Sequence, residues 1–140
     1  MHPILFDTSV YIYALRGGRD ALTVFQRLGR NTTLWLSSVV LEELFAGASP
    51  QGQDALERLG ADFGKARRIL VPNLEDWTRT GKVLARLASR HGHEQIGRGR
   101  LNHDALIAMS AARLGVAVIT ANARDFARLA EFVSFTWSIL

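Results

Sequence analysis

Short apolar runs rich in β-branched and aromatic residues alternate along the chain with longer stretches whose apolar positions recur every third or fourth residue. The runs at 4–6, 33–36, 69–71, 116–119 and 132–135 predict strands, and the longer stretches predict helices at 9–15, 21–28, 38–47, 53–63, 74–90, 102–114 and 125–130. Asn102 reads as an N-cap and Gly115 as a stop for the sixth of these helices, and Gly92, Gly97 and Gly99 predict a mobile loop ahead of it. Strands that alternate with helices pair in parallel beneath helical layers on both faces, so the predicted class is α/β. Residues 4–6 and 116–119 are apolar without interruption, as suits central strands covered on both sides, and they are expected to be neighbours. Ligand crevices in such sheets open beyond the carboxyl ends of the strands, so the residues just after each run are the first candidates for chemistry.

Nothing in the composition divides this pattern. The 140 residues hold no repeat, low-complexity tract or proline/serine linker, which predicts one domain over 1–140. At 48% hydrophobic and 21% charged, the chain has the composition of a packed globular protein, which excludes a disordered or fibrous one. Uncharged stretches such as 31–41 and 105–112 fall well short of the roughly 18 apolar residues of a membrane span, so no membrane partner is expected. Met1-His2-Pro3-Ile4-Leu5-Phe6-Asp7 has no basic segment before its apolar run and carries an acid at position 7, unlike a secretory signal, and predicts a cytoplasmic protein. Without cysteine there is no thiolate nucleophile or Cys-based zinc site, and any metal must be held by oxygen or nitrogen. The formal net charge of +4 favours polyanions, and all of the 17 basic residues but Lys65 and Lys82 are Arg, whose guanidinium forks onto phosphate.

The candidate chemistry lies in carboxylates. Asp7 directly follows the first strand, Asp125 follows the fourth, and Asp104 stands in the first turn of the helix before that strand. Each alone reads equally well as an acid at a helix start, where free N–H groups and the dipole favour it. Glu43 is different, because it is spaced three and four residues from Val40 and Val39 and so sits on or beside an apolar stripe, where a carboxylate needs a partner. An Arg salt bridge would satisfy that need. Glu42, about 100° round the helix, is taken as the solvated neighbour. If the strands at 4–6 and 116–119 are adjacent, Asp7, Glu43, Asp104 and Asp125 meet in one crevice, and a hard divalent cation, Mg²⁺ or Mn²⁺, would offset their repulsion. Asn122, Thr8 and Thr120 could orient ligands or water there, or serve as ordinary turn and cap residues.

Four segments in order carry a resemblance: Ile4-Leu5-Phe6-Asp7-Thr8-Ser9-Val10, then Leu36 to Gly47 with Glu43-Leu44-Phe45-Ala46-Gly47, then Asp104-Ala105-Leu106-Ile107-Ala108, then Ile119-Thr120-Ala121-Asn122-Ala123-Arg124-Asp125-Phe126. This series resembles the PIN-domain ribonucleases, and among them the VapC toxins of type II toxin–antitoxin pairs. The resemblance implies a three-layer α/β/α fold with a central, mainly parallel five-stranded sheet. It implies a Mg²⁺-dependent endoribonuclease, with Mn²⁺ as a possible substitute, that cleaves tRNA, ribosomal RNA or messenger RNA and inhibits translation. The family's acidic quartet falls on Asp7, Glu43, Asp104 and Asp125, as catalytic and metal-ligating residues, with Asn122 and Thr120 as companions. The Glu-Leu-x-x-Gly pattern selects Glu43 over Glu42. A cognate VapB-type antitoxin and a homodimer are implied as partners.

Beyond the acids, Arg79, Lys82, Arg86 and Arg90 form a basic stripe on one helix, extended by Arg98 and Arg100, and are candidate RNA contacts or a solvated face. Trp35, Trp77 and Trp137 are expected in the core or an interface, His91 and His93 in solvent, and His103, beside Asp104, near the site. Arg16 and Arg19 could meet an acidic antitoxin tail, by family analogy. A receiver domain is disfavoured, because it needs an acid pair after its first strand and a phosphoacceptor Asp after its third, where Asp7-Thr8-Ser9 and Pro72-Asn73 stand, and a haloacid-dehalogenase-type phosphatase needs Asp where Ser9 stands. The competing readings are a non-catalytic RNA-binding or protein-interaction module on the same fold, and a housekeeping RNA-processing nuclease.

Overall fold

The computed structural model describes residues 2–17, 27, 32–92 and 100–140. In chain order it contains β1 (Pro3–Phe6), α1 (Thr8–Gly17), β2 (Thr33–Ser37), α2 (Ser38–Ala46), α3 (Pro50–Lys65), β3 (Ile69–Leu70), α4 (Leu74–His91), α5 (Arg100–Leu114), β4 (Ala117–Thr120), α6 (Ala123–Ala130) and β5 (Trp137–Ile139). The helix expected at 21–28, apart from Arg27, lies outside the described residues. So do Arg19, His93, Gly97, Arg98 and Gly99, and the side chain of Arg100.

All five strands pair in parallel in the order β3-β2-β1-β4-β5. β1 and β4 are neighbours in the register Ile4↔Ala117, Leu5↔Val118, Phe6↔Ile119, as their unbroken apolar character predicts. The chain steps from β1 outward to β2 and β3, then returns across the sheet to β4 and on to β5. Right-handed crossovers therefore send α1, α2 and α3 to one face and α4, α5 and α6 to the other, giving three layers. The reversal makes the gap between β1 and β4 the topological switch point, where such sheets bind ligands.

Local chemistry sets the helix ends. Ser37 accepts from Val39 N at 3.2 Å to start α2, and Ser49, with Pro50 in the first helical turn, accepts from Gly52 N at 3.2 Å to start α3. α5 is the centre of the second helical layer. Its residues 105–111 are all buried, and the Ser110 hydroxyl in that run is satisfied by the Leu106 carbonyl at 2.8 Å. Gly115, at φ 67°, ends α5 in a conformation open to glycine and lets Val116 N–H reach the Ala111 carbonyl at 2.9 Å as the chain turns into β4.

Two expectations are corrected. The last strand is at Trp137–Ile139, not 132–135: the aromatic run packs through side chains, with Phe135 stacked on Trp137 and both against Phe126. α5 begins at Arg100, so Asn102 stands exposed inside the first turn and is not the cap. Of the three tryptophans expected in the core or an interface, Trp35 and Trp137 pack against the core and Trp77 stands 53% exposed on α4.

One buried charge was not foreseen. Asp76, wholly buried, accepts from Arg113 Nε at 3.1 and 3.0 Å and from Asn73 N at 3.0 Å, while Asn73 Oδ1 accepts from Asp76 N at 2.9 Å. It thus completes the capping box of α4 and pins that helix to the end of α5. Asp76→Ala removes the pair and half the cap, and is expected to cost about 3 kcal/mol, read as a lowered urea midpoint at unchanged m-value.

Candidate active site

The ends of β1 and β4 are stitched together by Asp7 N–H, which donates to the Ile119 carbonyl at 3.0 Å. That bond fixes the Asp7 backbone at the switch point, and three donors then fix its side chain. Oδ1 accepts from Ser9 Oγ at 2.6 Å and Val10 N at 3.3 Å, and Oδ2 accepts from Thr120 Oγ1 at 2.8 Å. The carboxyl is only 3% exposed. Burial raises its pKa, the bonds from Ser9, Thr120 and Val10 oppose that rise, and the charge of Glu43 adds to it.

Thr120 cannot donate to two acceptors with one proton. Its hydroxyl sits 2.8 Å from Asp7 and 3.3 Å from the Asn122 carbonyl, so the proton belongs to Asp7, while its oxygen accepts from Asn122 N at 2.9 Å. Ser9 works in the same way, donating to Asp7 and accepting from Ala121 N at 3.0 Å. Two hydroxyls, one from each side of the β1–β4 junction, therefore hold one carboxylate. Thr120 was among the expected supporting residues and Ser9 was not. A hydroxyl two residues after the acid, at the start of a helix, was the available signal.

Glu43 reaches the same place from α2. Thr8 Oγ1 donates to its Oε1 at 2.8 Å, and His103 Nδ1 lies 3.7 Å from its Oε2. Among the described residues its partners are thus Thr8 and His103 and not an Arg, and Glu42 is exposed, as the stripe predicts. Asp104, half-buried on α5, has its pKa pushed up to about 8 from 3.8. Burial is the largest cause, followed by the negative charges of Asp7, Asp125 and Glu43, and then by a hydrogen bond to Asp125. Asp125, in the first turn of α6, accepts from Asn122 Nδ2 at 3.1 Å. Asn122 precedes α6, but its side chain makes this bond instead of a cap.

The result is a cleft of about 470 Å³ lined by Asp7, Glu43 and Asp104 together with Thr8, Ser9, Asn122 and Arg16. Asp125 does not line it, and joins the cluster through Asp104 and Asn122. Among the described residues no three Asp, Glu or His side chains stand close enough to form a ready-made metal cage. The charge coupling among the four acids nonetheless reaches Asp104 from three directions, and it is the more telling observation, because a carboxylate rotamer moves more easily than a helix. The donor set is all hard oxygen with no thiol, which fits Mg²⁺ or Mn²⁺.

The residues outside the cleft sort differently. His91, expected in solvent, is paired through Nε2 with Glu131 at 3.2 Å. Arg79, Lys82, Arg86 and Arg90 lie on α4, and none of them lines the acidic cleft.

A family model described as PIN domain matches residues 4–132. No curated protein matches the sequence. Solved structures with the same fold include VapBC from Salmonella typhimurium bound to DNA (TM-score 0.70, 23% identity, 99% of this chain and 98% of that chain). VapBC2 from Rickettsia felis, bound to a DNA fragment from its promoter, is similar at TM-score 0.68 and 21% identity over 99% and 98% of the two chains. VapBC-1 from nontypeable Haemophilus influenzae is similar at TM-score 0.66 and 24% identity over 98% and 97%.

Proposed function

Because the chain belongs to the PIN-domain family, we propose that it is a divalent-metal-dependent endoribonuclease, the toxin of a type II toxin–antitoxin pair, acting in the cytoplasm on cellular RNA. The observation that carries this reading is that Asp7, Glu43 and Asp104 line one cleft, with Asp125 joined to them through Asn122 and Asp104, and that burial together with the charges of the other three acids raises Asp104 to about 8. Asp7, Glu43, Asp104 and Asp125 would hold Mg²⁺, or Mn²⁺ in its place. A bound ion would polarise a phosphate oxygen and acidify a bound water.

This chain's own residues supply the rest. Ser9 and Thr120 keep Asp7 in one rotamer, so a ligand oxygen is pre-positioned rather than ordered on binding. Thr8 holds Glu43 at the cleft, with His103 Nδ1 3.7 Å from its other oxygen. Burial and its acidic neighbours keep Asp104 protonated near neutral pH while no cation is present, and a bound cation that offsets their charge would release that proton, so metal binding and ionisation of Asp104 are coupled. Products would carry 5′-phosphate and 3′-hydroxyl ends.

The antitoxin reading draws support from an apolar groove of about 420 Å³ beside the cleft, lined by Ile12, Leu15, Leu44 and Leu56 and sharing Arg16 and Glu43 with it. Leu15 is 75% exposed there, which a partner segment would cover. We propose one domain and a homodimer on family grounds. Among the described residues no helix is long and apolar enough to cross a membrane.

Purified protein incubated with total cellular RNA and Mg²⁺ is expected to release discrete fragments, and EDTA is expected to stop the reaction. Sequencing of fragment ends names the target. Folded, partner-free protein that cuts nothing overturns the enzyme and leaves a binding module.

A further inference from the structure

The basic stripe of α4 divides in two in the fold. Arg90 is committed: its guanidinium lies 5.8 Å over the Phe132 ring and 3.8 Å from Glu131, which also pairs with His91. Arg79, Lys82 and Arg86 have no acidic partner among the described residues. Instead all three line a hollow of about 280 Å³, closed by Met109 of α5 and by Phe132 and Ser134 after α6.

Three unneutralised cations around a concave, partly apolar wall focus positive potential into the hollow. From residue 79 to residue 86 the helix rises about 10.5 Å, so the charges form a row. A row suits a polymer with one charge per unit better than a single small anion. Met109, fully buried, forms the floor of the hollow, the partly exposed Phe132 offers the apolar contact that a base or ribose can use, and the two Arg side chains can fork onto phosphate. Met109 shares α5 with Asp104, five residues and about 7.5 Å of helix rise away, so one rigid element spans hollow and cleft.

We propose that this hollow is a phosphate-binding site that grips the backbone of single-stranded RNA alongside the acidic cleft. The choice of RNA rests on the nuclease reading. The positive hollow itself does not.

The test is binding of fluorescein-labelled oligouridine in EDTA, monitored by anisotropy across a salt series. The combined variant Arg79→Gln, Lys82→Gln, Arg86→Gln is compared with a charge-matched control, Lys65→Gln, Arg67→Gln, Arg68→Gln, both checked for wild-type circular dichroism. Loss of three phosphate contacts is expected to flatten the slope of log K against log salt by about 2, at about 0.7 per contact on a single strand, and to weaken binding at least about tenfold. The control is expected to change the slope by less than a third of that. Equal losses from the two variants would mean net charge alone and overturn the site. Displacement of the RNA by oligoglutamate of matched charge would overturn it in favour of an acidic protein partner. If RNA is not cut with Mg²⁺ but the contrast between variants stands, the nuclease reading fails and the site remains.

Discussion

Asp7→Asn is expected to lower Mg²⁺-dependent RNA cleavage by on the order of 10³-fold or more while moving the melting temperature by only a few degrees. The two effects separate because the fold and the chemistry use different properties of this side chain. The fold uses its shape and acceptors: an amide oxygen can still accept from Ser9 Oγ and Val10 N. Only Thr120 must turn, giving its proton to the Asn122 carbonyl already 3.3 Å away and accepting from the new amide. The backbone bond from residue 7 to Ile119 is untouched. The chemistry needs the charge, and a neutral amide both removes a hard anionic ligand and lessens the field that raises Asp104. The readout is initial cleavage rate on an RNA fragment found with the wild type, beside a thermal melt. Cleavage within about tenfold of wild type would remove Asp7 from the reaction.

How far this site could be read from sequence depended on the range of the interaction. Glu43 was separable from Glu42 because helical spacing is a local fact, and the fold bears it out: Glu42 is exposed and Glu43 is held by Thr8. The adjacency of β1 and β4 came from their unbroken apolar runs, since only covered strands are apolar on both faces. The last strand was misplaced because apolarity reports burial and not pairing. Phe132 and Phe135 pack against the core, yet the ladder to β4 starts only at Trp137.

Long-range polar partners left no local trace. Asn73 and Asp76 form a recognisable capping box, but nothing near Asp76 announces Arg113, 37 residues away. The four cations of α4 look equivalent on a helical stripe, and only the approach of Glu131 and Phe132 tells Arg90 from the other three. Ser9 was hidden by its neighbours, because in Asp-Thr-Ser either hydroxyl could serve the acid. The backbone directs Ser9 to Asp7 and leaves Thr8 for Glu43.

Asp104→Asn is expected to do two opposite things, stabilising the protein in EDTA and disabling cleavage. In the folded chain the Asp104 carboxyl titrates near 8, against an ordinary 3.8. Below about pH 4 both folded and unfolded chains hold the proton and the residue is neutral in its effect. As pH rises through the window between these values, the unfolded chain releases its proton while the folded chain keeps it, so folding stability declines steadily until about pH 8. An Asn cannot ionise and escapes that loss, and its amide can donate to Asp125 as the protonated acid does. The melting temperatures of variant and wild type in EDTA should coincide near pH 4 and diverge towards pH 8. The gap there should raise the variant by at least about 5 °C. Mg²⁺ should close the gap by stabilising the wild type more, because a ligand that binds the folded state alone adds to its stability and the variant has lost a ligand. The same substitution removes one of the four carboxylates proposed to hold the metal, so cleavage should fall at least about a hundredfold. A pH-independent gap would mean that Asp104 is already ionised in the fold and that the four acids do not share a field. Stabilisation with full activity would mean that the field exists but the reaction does not use it. The expected pairing, more stable and inactive, is the signature of a site whose repulsion is kept because a cation is meant to relieve it.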